Sequence, residues 1–193
     1  MRSQQTLNRL AALFLDVQPV VARQTLVDLR FSKHEASWVV AIVERWNDVG
    51  REMASTLIEG RPTDAVSRRW LSRLGRIHAG AFLRVALARW AAMAGAGHRT
   101  PDESAVRSLH RRMRASLFRD PIELADLTVT GDDLRRAGIP AGPIYAKILH
   151  ALLERVLEDP VRNTPEALLA EVPAIVAALG RDSGSRVQPS SEH

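Results

Sequence analysis

Apolar residues recur at intervals of three and four along most of the chain, and this spacing constrains the fold more than any other feature. The stripes comprise Leu7, Leu10, Leu13 and Phe14; Trp38, Val39, Ile42, Val43 and Trp46; Trp70, Leu71 and Leu74; Phe82, Val85, Ala86 and Trp90; and Val106, Leu109, Met113 and Leu117. Such a spacing places apolar side chains on one face of an α-helix. The only β-branched cluster, residues 127–130, is too short to found a sheet. The sequence predicts an all-α fold, either an irregular multi-helix bundle or two small helical lobes.

Capping signals and breaks divide this helical chain. Ser32 and Glu35 have the spacing of a capping box, while Pro101 and Pro165 are each expected at the first position of a helix. The glycine-containing stretch 95–99 is the expected seam between two lobes. We therefore predict one helical region at residues 1–95 and a second at 96–180. Residues 181–193 are polar, contain Gly, Ser and Pro, and are expected to form a disordered tail.

Composition limits the cellular compartment and the classes of binding partner that fit this chain. The 193 residues include no cysteine, which excludes disulfides and thiolate metal sites and favours a reducing compartment, so a cytoplasmic location is expected. The apolar stretch 10–15 is too short for a signal or membrane segment, and no membrane partner is expected. The formal charge is +5, and only two of the 27 cationic residues are lysine. Arginine suits phosphate oxygens and favours a nucleic-acid partner, but a GC-rich coding bias also replaces lysine with arginine, so both explanations stay open.

Motifs for independent catalysis are missing from the sequence. The six histidines include no HExxH pair and no pair three or four residues apart, and neither a GxxxxGK[ST] loop nor a GxSxG elbow is present. Asp132 and Asp133 are adjacent carboxylates beside a glycine, which raises the question of magnesium or acid–base chemistry. They follow Thr130, however, and acids in the first turn of a helix interact favourably with its dipole. We interpret them as capping residues and expect no metal site.

The most distinctive segment is a predicted helical hairpin at residues 128–158. A short helix is expected to begin after Thr130 and to end at Gly138, because glycine adopts the left-handed cap without a steric penalty. Gly142 and Pro143 would then start a long helix. The free amides at the start of that helix, with Lys147 one turn later, could hold a phosphate group.

A resemblance adds to this reading. The run DLTVTGDDLRRAGIPAGPIYAKILHALLERVLEDPVRNTPEALL resembles the C-terminal helical region of the bacterial CCA-adding tRNA nucleotidyltransferase and poly(A) polymerase family. The family pattern there is close to DLxIxGxDLxxxGxxPGPxxGxxLxxLxxxVLxxxxxNxxExLL. The run keeps the glycines, the Asp-Leu pair, the Gly-Pro step, Asn163 and Glu166. It departs from the pattern near Tyr145 and Ala146, where the family has a glycine after the Gly-Pro step.

The likeness continues upstream in a degenerate form. Residues 9–16, RLAALFLD, are similar to the family's RLAALLHD, and residues 29–35, LRFSKHE, to its LRLSNKE. Leu15 stands where the metal-binding histidine of the HD pair would be, and Asp16 alone cannot hold a metal. The family's catalytic head has a Gly-Ser or Gly-Gly step followed by paired carboxylates. The only Gly-Ser step here, at residues 184–185, is followed by no such pair, so the resemblance covers the non-catalytic half.

The resemblance implies a chain that binds tRNA or another structured RNA and positions it for a catalytic head that is absent from this chain and encoded separately or lost. Magnesium and CTP or ATP would belong to that head, and this chain alone is not expected to add nucleotides. The expected RNA or phosphate contacts are Arg111, Arg112, Arg114, Arg135, Arg136, Gly142, Pro143 and Lys147. The alternative is a helical protein-interaction or scaffold domain that kept the fold and lost RNA binding. Its four tryptophans could then supply an exposed patch.

Overall fold

A computed structural model describes residues 2–184 of the chain. Within that range the backbone forms α-helices, two short 3-10 turns and one π-helical turn, and no β-strand, which confirms the all-α prediction. The described residues separate into two compact units, divided between Asp120 and Pro121. The predicted tail at 181–193 begins with four residues that still belong to the last helix, and its remainder lies outside the described residues.

The first unit is built from amphipathic helices that follow the predicted stripes. In chain order they are α1 (Gln4–Leu13), α2 (Pro19–Asp28), α3 (Lys33–Arg45), α4 (Arg51–Glu59), α5 (Asp64–Leu74), α6 (Arg76–Gly95) and α7 (Glu103–Arg119). Helix α3 packs against α1, α2 and α6, while α5, α6 and α7 pack pairwise against one another. The capping box predicted at Ser32 and Glu35 begins α3.

The tryptophans serve mainly to fill the core of this unit. Trp46, Trp70 and Trp90 are buried, and the Trp46 and Trp90 rings lie 6.1 Å apart. Trp38 is half-buried, and its indole nitrogen donates a hydrogen bond of 3.2 Å to Asn8 Oδ1. A large aromatic side chain stabilises a fold most when it is buried with its polar atom satisfied. These four residues therefore form no exposed aromatic patch.

Helices α3 and α4 are joined without a break by the π-helical turn Trp46–Gly50. A π turn inside an α-helix has hydrogen bonds that span five residues instead of four. A Cβ atom added at Gly50 would lie only 2.5 Å from Cε3 of the Trp46 ring. Because that ring is itself buried, glycine is required at this close approach.

The division between the units differs from the seam expected at residues 95–99. Helix α7 follows that stretch and packs back onto α5 and α6, because Val106, Leu109, Met113 and Leu117 form a buried face. The boundary therefore comes after α7, between Asp120 and Pro121. The start of α7 also differs from the prediction. Asp102 caps the helix by accepting a hydrogen bond from the Ser104 amide, so Pro101 precedes the cap.

The second unit is organised around one central helix. Its elements are the 3-10 turn Leu124–Asp126, α8 (Gly131–Arg136), α9 (Ile144–Glu158), the 3-10 turn Pro160–Arg162 and α10 (Pro165–Gly184). Helix α9 contacts the other four elements and buries Ile148, Leu152, Leu153, Val156 and Leu157. Pro165 begins α10, as predicted. Within residues 2–184, no helix combines the length and the apolar character that crossing a bilayer would require.

Candidate nucleic-acid interface

The predicted hairpin forms, and its first helix is capped by its own acids. The Asp133 carboxylate accepts hydrogen bonds from the Thr130 amide at 2.8 Å and from the Thr130 hydroxyl at 2.7 Å. These bonds, hydroxyl first, lower the pKa of Asp133 below its usual value. Asp132 lies in the same first turn and pairs with Arg135. The two acids therefore serve the helix start, as the capping interpretation predicted.

The turn between α8 and α9 is fixed by a left-handed glycine. Gly138 has a φ of 83° and follows the last helical residues. The Ile139 amide donates to the Leu134 carbonyl at 3.1 Å, and the Gly138 amide donates to the Arg135 carbonyl at 3.0 Å. This pair of bonds is the Schellman arrangement, which satisfies carbonyls that a helix end otherwise leaves free. The predicted end of α8 at Gly138 is thus confirmed.

The departure from the family pattern near Tyr145 has a structural consequence. The Tyr145 hydroxyl donates a 2.9 Å hydrogen bond to the Ile139 carbonyl in the turn, so the side chain ties the start of α9 back to the end of α8. Helix α9 starts after Pro143 without a side-chain cap. The Tyr145 amide bonds to the Gly142 carbonyl at 3.1 Å. The predicted phosphate seat therefore lies at an uncapped helix start, beside a tyrosine rather than a glycine.

Asp126 and Asn163, which flank the hairpin in the run that resembles the family, stabilise the fold. The Asn163 side chain accepts a hydrogen bond from the Thr128 amide at 3.0 Å and donates one to the Asp126 carbonyl at 2.9 Å. The Asp126 carboxylate accepts from the amides of Ile122 and Glu123. The polar residues that carry the resemblance thus bind backbone groups and hold the second unit together. They identify the fold rather than an RNA contact.

Acidic side chains nearby balance the charge of the candidate cations in the hairpin. Arg135 pairs with Asp132 at 3.0 Å and Arg136 with Asp133 at 2.9 Å, with both arginine side chains largely exposed. Lys147 is exposed one turn into α9, and no hydrogen bond or ion pair links its side chain to another described residue. Residues 131–158 contain four cationic and four acidic side chains, so their formal charge is zero. The hairpin alone therefore offers no net attraction to a polyanion.

Helix α7, in contrast, concentrates positive charge. It carries five arginines and one glutamate, which give a formal charge of +4. Arg111 and Arg114 are exposed, and within the described range neither side chain has a hydrogen bond or an ion pair. Because they are three residues apart, they share one face of the helix. Two of the predicted contacts are thus free to bind an anion.

Arg112 is held differently from its neighbours. Its guanidinium lies 2.7 Å from an Asp64 carboxylate oxygen, and it also donates to the Pro62 carbonyl. The side chain is half-buried. Arg112 therefore links α7 to the start of α5, and a phosphate would have to displace these partners.

Arg84 is a further cation that lies close to α7 and that the sequence patterns did not single out. Its proximity is seen at His110 on α7. Burial lowers the pKa of His110, and the nearby charges of Arg114 and Arg84 lower it further. Arg84 is exposed on α6. No spacing rule connects residues on two separate helices, so only the packing of α6 against α7 brings both Arg84 and Arg114 close enough to affect His110. His110 itself is disfavoured as a cation.

At the position where a degenerate HD pair was predicted, the side chains make contacts within the fold. Leu15 is buried, and the Asp16 carboxylate pairs with Arg89 at 2.5 Å. Within residues 2–184, no three His, Cys, Asp or Glu side chains come together in a way that could hold a metal ion. The leucine and the ion pair occupy the places where the resemblance would put metal ligands.

Comparison with known proteins adds one finding. Residues 92–172 match the model of a family described as tRNA nucleotidyltransferase domain 2. The matched segment runs from the end of α6 into α10 and includes α7 and the hairpin. It does not reach residues 1–91, so the upstream HD likeness stays a prediction. No curated protein and no solved structure matches the chain significantly.

Proposed function

We propose that this chain, whose residues 92–172 match the tRNA nucleotidyltransferase domain 2 family, is an RNA-binding helical body. It binds tRNA or another structured RNA in the cytoplasm and positions it for CCA addition by a nucleotidyltransferase head that lies outside these residues. The observation that carries the proposal is the exposed pair Arg111 and Arg114 on the +4 helix α7, within the matched segment. Two unpaired guanidinium groups on one helix face suit successive phosphates of a nucleic acid.

The remaining predicted contacts differ in how readily each could bind a phosphate. Lys147, with the backbone at Gly142 and Pro143, would hold one phosphate at the uncapped start of α9. Arg135 and Arg136 would exchange exposed carboxylate partners for phosphate at little cost, since exposed ion pairs contribute about 0–1 kcal/mol. Arg112 would have to leave its half-buried contacts with Asp64 and the Pro62 carbonyl. Contacts of this kind recognise the shape and backbone of an RNA duplex and read few bases. Magnesium and CTP or ATP would act in the head.

A second candidate function is a protein-interaction scaffold that kept this fold and lost RNA binding. The neutral charge of the hairpin and the carboxylate partners of Arg112, Arg135 and Arg136 favour it. Such a protein would use its surface charge only for steering and would show no affinity for RNA at low salt.

Measurement of tRNA affinity across a range of salt concentrations separates the two functions. Each phosphate contact releases counterions, so the logarithm of the binding constant should fall with the logarithm of the salt concentration by about 0.7 to 0.9 per contact. Contacts by Arg111, Arg114 and Lys147 alone would give a slope of about −2.1 to −2.7, and phosphate contacts by Arg135 and Arg136 would make it steeper. Absence of binding at low salt, or an affinity that does not change with salt, would contradict the RNA-binding proposal.

A further inference from the structure

Two large apolar side chains stand exposed at the edge of the α6–α7 surface. Phe118 at the end of α7 is 79% exposed, and Ile77 at the start of α6 is 77% exposed. Between them runs a groove of about 350 Å³ whose lining includes Trp38, Gly80 and Arg84. We refer to it as the Phe118 groove. Its volume lies near the lower end of small-ligand sites, which span roughly 300–1,000 Å³.

The backbone that presents Phe118 is anchored on both sides. The Arg76 guanidinium donates hydrogen bonds to the Leu117 carbonyl and, at 3.0 Å, to the Asp120 carbonyl. Arg68 lies 3.7 Å from the Asp120 carboxylate. These contacts fix the last turn of α7 against α5 and α6. The aromatic ring is therefore offered by a preorganised backbone, which reduces the entropy lost when a ligand binds.

Arginines lie on the Phe118 face of α7 and in the lining of the groove. Arg114 precedes Phe118 by four residues and Arg111 by seven, so all three lie on one face of α7. Arg84 lines the groove from the α6 side. No aspartate or glutamate is among the lining residues of this groove. An exposed aromatic ring flanked by arginines favours a ligand that combines flat apolar groups with negative charge.

We infer that the Phe118 groove binds an unpaired nucleotide of an RNA strand. The base stacks on the Phe118 ring, and the adjoining phosphates contact Arg84 and Arg114. Single-stranded nucleic acids are held in this way, by aromatic platforms beside cationic side chains. The inference rests on the proposed RNA-binding function. It deepens that function by adding a site for an unpaired base beside the duplex contacts.

The test compares the Phe118→Ala variant with a matched control, Leu13→Ala, which alters another exposed apolar side chain, 78% exposed at the end of α1. The probes are a fluorescently labelled oligoadenylate, the same backbone with abasic residues, and a fully paired RNA duplex. We expect Phe118→Ala to weaken oligoadenylate binding about 5- to 150-fold, the equivalent of about 1–3 kcal/mol for a stacked base. Duplex binding should not change, and Leu13→Ala should affect neither probe. The abasic probe should bind weakly and be insensitive to Phe118→Ala.

Several outcomes would overturn the inference, and they can be told apart from failure of the proposed function. If the wild-type chain binds duplex RNA but Phe118→Ala leaves oligoadenylate affinity unchanged, only the groove assignment fails. If neither RNA binds, both proposals fail. If the wild-type chain is a dimer and Phe118→Ala converts it to a monomer, the groove receives a second copy of the chain instead. Because Phe118 is exposed, thermal unfolding should be unchanged in the variant.

Discussion

Glu35 ties the first residues of the chain to the start of α3. Its carboxylate accepts hydrogen bonds from the Arg2 amide and the Ser32 amide, each at 3.0 Å, and lies 3.1 Å from the Arg2 guanidinium. The side chain is only 5% exposed. The Arg2 amide, and next the Ser32 amide, lower the pKa of Glu35 to about 2. A single acid thus completes a capping box and anchors the N-terminal segment.

This arrangement predicts a pH-dependent contribution to stability. Because the pKa of Glu35 is lower in the folded chain than its ordinary value of 4.5, its contribution is present above about pH 4.5 and is lost as the pH falls toward about 2. Glu35→Gln should lower the free energy of unfolding near neutral pH, and the difference from wild type should narrow across that acid range. Urea unfolding at several pH values measures this. A difference that stays constant with pH would refute the assignment, and the exposed control Glu59→Gln should change stability little.

The Glu35 contacts also show which single-residue contacts can be predicted from sequence and which cannot. The bond to Ser32 follows from a spacing of three, and was predicted. The bonds to Arg2 join residues 33 positions apart, and no local pattern encodes them. The same limit separates Arg111 and Arg114 from Arg112. All three are arginines on one helix, but only the fold brings Asp64 to Arg112.

At the scale of elements, the second unit is held by short polar links between its turns. Asn163, after the second 3-10 turn, bridges the Asp126 carbonyl and the Thr128 amide before α8. Tyr145 bonds back to Ile139 across the hairpin. The capped start and glycine end of α8 were predictable, because each depends on residues within one turn. The Asn163 and Tyr145 contacts were not, because their partners are set by how the helices pack.

Removal of the Asn163 amide should destabilise the second unit. In Asn163→Ala, the exposed Thr128 amide loses its side-chain acceptor and the Asp126 carbonyl loses a partly buried donor, and each such hydrogen bond contributes about 0.5–1.5 kcal/mol. Denaturant unfolding, combined with hydrogen exchange of α9, measures the loss. Val161→Ala is the matched control, because Val161 is 83% exposed two residues away. If both variants unfold at the same denaturant concentration, the bridge does not stabilise the unit.

At the scale of the whole molecule, the charge distribution moves the expected RNA contact from the hairpin to α7. The family match spans both α7 and the hairpin, yet the hairpin is formally neutral and α7 carries +4. The sequence predicted the all-α class from periodicity, but it placed the seam at residues 95–99 because glycine is a local signal. The boundary lies at residue 120 because the buried face of α7 packs on α5 and α6. Exposed Phe118 and Arg84 gave no signal, since neither belongs to a motif.

The central claim, that α7 contacts RNA phosphates, is tested most directly by charge reversal. The measurement is the affinity for a tRNA transcript of wild type, of Arg111→Glu/Arg114→Glu, and of Arg9→Glu/Arg61→Glu as an equally charged control at exposed arginines elsewhere in the first unit. We predict that the α7 variant loses about 10- to 100-fold in affinity at low salt and that its salt slope becomes shallower by about 1.4 to 1.8, the share of two phosphate contacts. The control should stay close to wild type. Equal losses in the two variants, or no loss in the α7 variant, would contradict the account.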